Sequence, residues 1–300
     1  MSSMPDTITR RMADGFAYDP IFNVELARRA LAEDIGRGDL TTEATIPAGT
    51  RARANILAKA DGVVAGLPMA ALVFRLMDPE THVVLTAYDG DRVTKGQRLA
   101  AIDGPARAIL TAERTALNFL GRLSGIATLT ARCVVGTAGT QAKVVDTRKT
   151  TPGLRTLEKY AVRMGGGSNH RAGLDDGILI KDNHIAAAGS VTAAVLRARA
   201  HVSHLIKVEV ECENEAQIRD ALTAGADAIL LDNMDTDAMR SAVAQIRSED
   251  PRVVIEASGN IGADPARIAD VATTGVDLIS LGALTHSAPN FDVSLEFEPR

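Results

Sequence analysis

Residues 146–184 read DTRKTTPGLRTLEKYAVRMGGGSNHRAGLDDGILIKDNH, and they concentrate groups able to do chemistry. Arg148, Lys149, His170, Arg171 and Lys181 bring cationic and proton-carrying side chains to predicted strand ends and glycine-rich turns. An arginine fork matches a carboxylate or phosphate bidentately, and a lysine adds a mobile point charge. A chain with net charge −5 has little structural need for such a cluster. It suits a substrate carrying several negative charges.

Further along, Glu211 and Asp232 end successive apolar runs. Their hard oxygens suit Mg²⁺ shared with a phosphate-bearing substrate, or ribose hydroxyls. Two glycine-bearing loops follow: SGNIG at 258–262, containing Ser258, Gly259 and Asn260, and LGALTH at 281–286, containing Gly282 and His286. Glycine lets backbone N–H groups approach a phosphate closely, and the late loops of a parallel barrel are its usual phosphate site.

The elements that must position these groups alternate. AKVVD, DGILIKD, HLIKVEVE, DAILLDN, RVVIEAS and VDLISLGAL are short, rich in Val, Ile and Leu, and separated by helical patterns. Strands buried on both faces and linked by helices predict parallel βα units, and six of them predict a barrel or near-barrel. Charged or phosphate-suited groups recur at the C-terminal strand ends: Asp146 with Arg148 and Lys149, Lys181 with Asp182, Glu209 with Glu211, Asp232, Glu256 with Ser258, and Gly282. Together they would surround one cavity on the catalytic rim. The alternatives are independent salt bridges and, for Glu209, an orientation toward the helices.

Before this region the pattern differs. A helix is predicted from about Pro20 until EDIGRGDLTT stops it, with Asp34, Arg37 and Asp39 serving either capping or a substrate. From Arg51 the period becomes two, around a short amphipathic helix in PMAALVFRLMD. Residues 106–135 predict one long helix, apolar on more than one face. Arg114 on that helix has a surface salt bridge as its alternative role. The final segment returns to period two and predicts a strand pairing with the N-terminal region. The resulting division is a flexible tail (1–18), an N-terminal α+β domain with its linking helix (19–135), an α/β barrel (136–286) and a returning C-terminal strand (287–300).

Composition sets limits. A net charge of −5 argues against general nucleic-acid binding, so any anion site must be local. No run approaches the ~20 apolar residues of a membrane span, and the first residues lack the apolar core of a secretory signal. Cys133 and Cys212 form neither a CxxC nor a metal-ligand spacing. They are expected to be reduced structural cysteines in a cytoplasmic protein.

With these residues in place, the sequence resembles the quinolinate phosphoribosyltransferases from about Pro20 onward. The resemblance rests on EDIGRGDLTT, ERTALNFLGRLSGIAT, DTRKTTPGLR, EKYAVRMGGGSNHR, GILIKDNH, EVE, LLDNM, ASGNI and LGALTHS, in that order. It implies an N-terminal α+β sandwich completed by the C-terminus, and an incomplete TIM-like barrel of six strands. The implied reaction converts quinolinate and phosphoribosyl pyrophosphate to nicotinate mononucleotide, pyrophosphate and CO₂, with Mg²⁺, in NAD biosynthesis. By the same resemblance Arg148, His170, Arg171 and Lys181 would hold the quinolinate carboxylates. Arg114 would serve the neighbouring site of a homodimer or of a higher oligomer built from it. Lys149 would meet the pyrophosphate, Glu211 and Asp232 the ribose hydroxyls and Mg²⁺, and Ser258, Gly259, Asn260, Gly282 and His286 the 5′-phosphate. The alternatives are a non-decarboxylating pyridine phosphoribosyltransferase, a same-fold paralogue with another acceptor, a Schiff-base aldolase using Lys181, and a scaffold that only binds a phosphorylated ligand.

Overall fold

The computed structural model describes residues 20–299, with side chains from Asn23 onward. The tail expected at 1–18 lies outside these residues. Helix α1 (Pro20–Ile35) buries Ala27 and Leu31 and stops at Gly36, whose φ of +55° suits glycine. Asp39 then caps α2 (Leu40–Thr45), its Oδ1 accepting the Thr42 N–H at 3.0 Å and its Oδ2 accepting the Thr111 hydroxyl at 3.0 Å. Of the two roles open for Asp39 in the sequence, capping is the one observed.

The chain continues through β1 (Arg51–Ala58), β2 (Gly62–Val63), α3 (Leu67–Met77), β3 (His82–Leu85), β4 (Arg92–Val93) and β5 (Arg98–Pro105) into the long α4 (Ala106–Val135). Next come β6 (Lys143–Val145), α5 (Arg155–Met164), β7 (Ile178–Ile180), α6 (Asp182–Ala188), α7 (Val191–His201), β8 (Val208–Cys212) and α8 (Glu215–Thr223). The last are β9 (Ala228–Asp232), α9 (Thr236–Glu249), β10 (Val254–Ser258), α10 (Pro265–Ala272), β11 (Leu278–Ser280), α11 (Ala283–His286) and β12 (Val293–Phe297). No described helix is long and apolar enough to cross a membrane.

Two compact units result. Among the described residues, the first comprises 20–128, Thr156–Met164 and 289–299. Its antiparallel sheet has the order β12-β1-β5-β3. Period two explains β1: Ala54, Ile56 and Ala58 are buried while their neighbours are not. The C-terminal strand returns as expected, pairing Ile56 with Leu295. In α4 a glycine is required at Gly125, because a Cβ there would lie 2.0 Å from the Pro289 carbonyl oxygen. Residues 156–164 of α5 are anchored in this unit by Glu158, fully buried, which accepts Arg122 Nε and Nη2 at 3.0 and 2.7 Å.

The second unit comprises Leu129–Arg155 and Gly165–Ala288. Its sheet has the order β6-β11-β10-β9-β8-β7, all parallel. The six strands are those the apolar runs predicted. Among the described residues no ladder joins β6 to β7, and β6 instead makes an isolated bridge from Val145 to Ser168. This is an incomplete six-stranded barrel. Ser190, Asn214, Asp235 and Asp264 cap α7, α8, α9 and α10 with side-chain oxygens. The ladder fixes the rim: Asp232 pairs with Ser258, and Ser280 with Val145. Cys133 and Cys212 are buried free thiols, pushed up to about 11 and about 12 by that burial, which leaves them unreactive.

Candidate active site

The loop after β6 is held from below by Asp146, which is fully buried. Its Oδ1 accepts the His170 N–H at 2.9 Å and its Oδ2 accepts Asn169 Nδ2 at 2.5 Å. One buried carboxylate thus fixes the glycine-rich NHR segment against the start of the DTRK loop. Arg155 secures the other side, donating to the Thr150 hydroxyl at 3.0 Å, the Ala172 carbonyl at 3.2 Å and the Arg148 carbonyl at 3.4 Å.

Between these anchors the two guanidiniums of Arg148 and Arg171 feel each other. Burial, and then the charge of Arg148, pull Arg171 below the ordinary arginine value. Arg171 Nη1 donates to the Gly177 carbonyl at 2.9 Å. Arg148 Nε is buried and makes no hydrogen bond. A buried guanidinium nitrogen left without an acceptor costs free energy, and a bound anion would remove that cost.

His170 is occupied on both sides. Its Nε2 lies 3.1 Å from Glu209 Oε2 and 3.3 Å from Glu256 Oε2, and its Nδ1 lies 2.8 Å from the Arg171 nitrogen, whose N–H only the neutral ring accepts. The Glu256 contact is an ion-pair approach without hydrogen-bond alignment, since that oxygen has no hydrogen-bond partner. The carboxylate of Glu209, and then that of Glu256, hold the His170 proton up to about 10. Burial in turn pushes the Glu209 carboxyl up. Both directions describe one cluster that retains a proton more tightly than a free histidine. Glu209 and Glu211 are two residues apart on β8 and share a face, so Glu209 does not turn toward the helices.

Lys181, just after β7, forms an ion pair with Glu211 near the end of β8. At the next strand end, Asp232 Oδ2 accepts Asn233 Nδ2 at 2.6 Å, and Asn233 Oδ1 accepts Asn260 Nδ2 at 2.8 Å. This ties Asp232 to the loop carrying Ser258, Gly259 and Asn260. Lys149, Gly282 and His286 also meet: a Cβ on Gly282 would lie 3.0 Å from Lys149 Cδ and 3.2 Å from His286 Nε2. The Thr285 hydroxyl donates to the Lys149 carbonyl at 2.7 Å, joining the two loops.

The second unit therefore collects Arg148, Lys149, His170, Arg171, Lys181, Glu211, Asp232, Ser258, Gly259, Asn260, Gly282 and His286. Arg114 lies in the first unit, exposed on α4, and makes no salt bridge among the described residues. Asp146, Asn169, Arg155, Asn233 and the acids partnering His170 were not assigned positioning roles from sequence. Asp146, Glu209 and Glu256 were legible as charged strand ends, whereas for Asn169, Arg155 and Asn233 the only sequence signal was proximity to the motifs.

Two groups of side chains could hold a cation. His170, Glu209 and Glu256 bring one ligand atom each within 4.8 Å of one another. That cluster already holds a proton and stands beside Arg171, which disfavours a divalent ion. Glu211 and Asp232 offer only carboxylate oxygens at adjacent strand ends, a donor set suited to Mg²⁺.

The sequence matches the quinolinate phosphoribosyl transferase N-terminal domain over residues 39–124 and the C-terminal domain over residues 126–296. It is 47% identical over 266 residues to a probable nicotinate-nucleotide pyrophosphorylase (carboxylating) of Synechocystis, covering 89% of each chain. It is 46% identical over 272 residues to the Bacillus subtilis protein with the same description, covering 91% of this chain and 92% of that one. The structure of NadC from Streptococcus pyogenes superimposes with a TM-score of 0.88 at 43% identity, covering 95% of this chain and 100% of that one. With both domain signatures matched across the two units that carry these residues, the chain belongs to the quinolinate phosphoribosyl transferase family.

Proposed function

We propose that this protein transfers the phosphoribosyl group of phosphoribosyl pyrophosphate to quinolinate with loss of CO₂, giving nicotinate mononucleotide and pyrophosphate for NAD biosynthesis. The observation that carries the reading is the Arg148–Arg171 pair, with a buried and unpartnered guanidinium nitrogen, in the same unit as two carboxylates and a glycine-bearing phosphate loop. One acceptor with two carboxylates and one donor with several phosphates use all of these groups.

On this reading Arg148, Arg171 and Lys181 bind the quinolinate carboxylates. Arg114 comes from the neighbouring subunit of a homodimer. His170 offsets the charge of Glu209 and Glu256 beside the carboxylates, and contacts one directly only if its ring leaves a present partner. Lys149 meets the pyrophosphate, Glu211 and Asp232 hold the ribose hydroxyls, and Ser258, Gly259, Asn260, Gly282 and His286 surround the 5′-phosphate. Glu211 and Asp232 would also hold Mg²⁺, which when bound supplies charge neutralisation for the departing pyrophosphate.

The residues then act mainly by positioning. The acceptor nitrogen is presented to the anomeric carbon as its bond to pyrophosphate breaks, and Lys149 stabilises the negative charge that leaves. The charge of the new pyridinium nitrogen stabilises the carbanion left on the ring carbon when the adjacent carboxylate departs as CO₂, and a proton from solvent then takes that position. Lys181 and Glu211 pair with each other, and this reading assigns them to different substrates.

The test supplies Mg²⁺, phosphoribosyl pyrophosphate and quinolinate labelled with ¹³C in the carboxylate next to the ring nitrogen. Labelled CO₂ and nicotinate mononucleotide in equal amounts are expected. Turnover of nicotinate instead would replace the reading with the non-decarboxylating reaction, and borohydride trapping of substrate on Lys181 would replace it with Schiff-base chemistry.

A further inference from the structure

Among the described residues, Asn233 and Asn260 are the two non-glycine positions with positive φ, at +55° and +46°. Their side chains are bonded to each other, Asn260 Nδ2 donating to Asn233 Oδ1 at 2.8 Å. Left-handed backbone at non-glycine residues is uncommon and persists where the surroundings fix it. Here the fixing contacts are visible. The Asn233 N–H donates to the Ser258 carbonyl at 3.1 Å. Gly259 packs so closely that a Cβ would lie 2.3 Å from Asn233 Oδ1 and 2.9 Å from Asn233 N.

The orientation of the amide follows from its partners. The Asp232 carboxylate can only accept, so the Asn233 nitrogen must face it, at 2.6 Å. Asn233 Oδ1 must then face Asn260, whose nitrogen donates. The carboxamide therefore reads both neighbours at once. It holds Asp232 Oδ2, while Asp232 Oδ1 makes no hydrogen bond among the described residues. The ladder already sets Asp232 beside Ser258, and the amide fixes the side chains that the ladder leaves to rotate.

We propose that Asn233 is a positioning residue that locks the Asp232 carboxylate to the Ser258–Gly259–Asn260 loop, holding the ribose-hydroxyl and 5′-phosphate subsites at one separation. This rests on the reading that these groups bind the phosphoribosyl donor. A ribose phosphate reaches both subsites with a few rotatable bonds, and pre-set spacing removes part of the ordering cost of binding it. Quinolinate, bound through Arg148, Arg171 and Lys181, does not touch this lock. Its affinity is therefore the internal control.

Asn233→Gly and Asn233→Asp test the proposal. Glycine accepts the backbone angle at 233 and deletes the amide. Aspartate keeps the shape, replaces the donor facing Asp232 with an oxygen, and sets two carboxylates together. Titration calorimetry in Mg²⁺ measures phosphoribosyl pyrophosphate and quinolinate separately, and circular dichroism follows melting. Asn233→Gly is expected to weaken the donor about tenfold or more, the scale of a lost charge-assisted hydrogen bond, with quinolinate within about twofold of wild type. Asn233→Asp is expected to weaken the donor further. Wild-type donor affinity in Asn233→Gly would overturn the proposal. So would equal weakening of both ligands with a lowered melting temperature, which marks a purely structural residue. Failure of the unaltered protein to bind phosphoribosyl pyrophosphate would overturn the donor assignment itself, and this inference with it.

Discussion

The imidazole of His170 directs Nε2 at the buried carboxylate of Glu209, 3.1 Å away, and sets Nδ1 2.8 Å from the Arg171 backbone nitrogen. The ring therefore sits between an acid pair and the backbone of Arg171. Its proton, held up to about 10 chiefly by Glu209 and then by Glu256, is retained in the folded chain but lost near pH 6.5 in the unfolded one. The folded value is the higher. The stability this contributes is fully present below about pH 6.5 and is lost as pH rises through about 10. Urea unfolding between these limits should show stability falling with pH, and a shallower fall in His170→Gln. In Glu256→Gln, ring ¹⁵N shifts should report His170 titrating nearer its ordinary value. An unchanged titration would remove Glu256 as a cause.

Arg148 offers a sharper test of the acceptor subsite. Its buried Nε makes no hydrogen bond among the described residues, and it stands near the like charge of Arg171. Arg148→Ala should therefore leave melting unchanged while weakening quinolinate binding about 10²-fold, for a charge-assisted contact of about 3 kcal/mol. Arg148→Lys should recover little of this, because an ammonium cannot present the two-pronged donor. Calorimetric binding of quinolinate alone measures both, and normal affinity in the alanine variant would place the carboxylates elsewhere.

The contrast between Arg148 and His170 shows what the sequence could convey. Six short apolar runs ending in charged groups were enough to read the parallel sheet and its rim, because burial on both faces leaves a continuous signal. The helices α2, α6 and α11, at six, seven and four residues, are too short to show a period in the sequence. The partners of His170 were hidden for another reason. Glu209 and Glu256 come from different strands and meet the ring only when the sheet curves. Likewise nothing in LLDNM announces a left-handed Asn233, since backbone angles at asparagine are set by the surrounding loop.

Asp89 gives the first unit its own pH response. Its carboxylate accepts the Gly66 and Leu67 N–H groups at 2.8 and 3.0 Å, at the start of α3, and the Tyr160 hydroxyl at 2.8 Å. Burial outweighs these donors and raises it to about 6, from 3.8. A raised carboxyl contributes stability that is full below pH 3.8 and lost as pH rises through about 6. Asp89→Asn should flatten that part of the stability profile, measured by urea unfolding from pH 4 to pH 7. Tyr160→Phe removes a donor to the ionised form, so it should raise Asp89 further and cost about 1–2 kcal/mol at neutral pH.

The Arg122–Glu158 pair predicts where the first unit is most easily broken. Glu158 is fully buried and accepts two nitrogens of one guanidinium, whereas Arg122 keeps 22% of its side chain exposed. Removing the acid takes a carboxylate from a partly exposed cation, and removing the cation takes two donors from a wholly buried anion. The second is worse, because water can still reach Arg122 but not Glu158. Glu158→Gln should therefore cost about 2 kcal/mol, and Arg122→Met about 3 kcal/mol or more, by urea unfolding at neutral pH. The double variant Arg122→Met with Glu158→Leu should recover part of the loss, because a buried ion pair exchanged for apolar side chains no longer pays for desolvation. Losses from the two single changes that simply add would show that Arg122 and Glu158 do not stabilise each other.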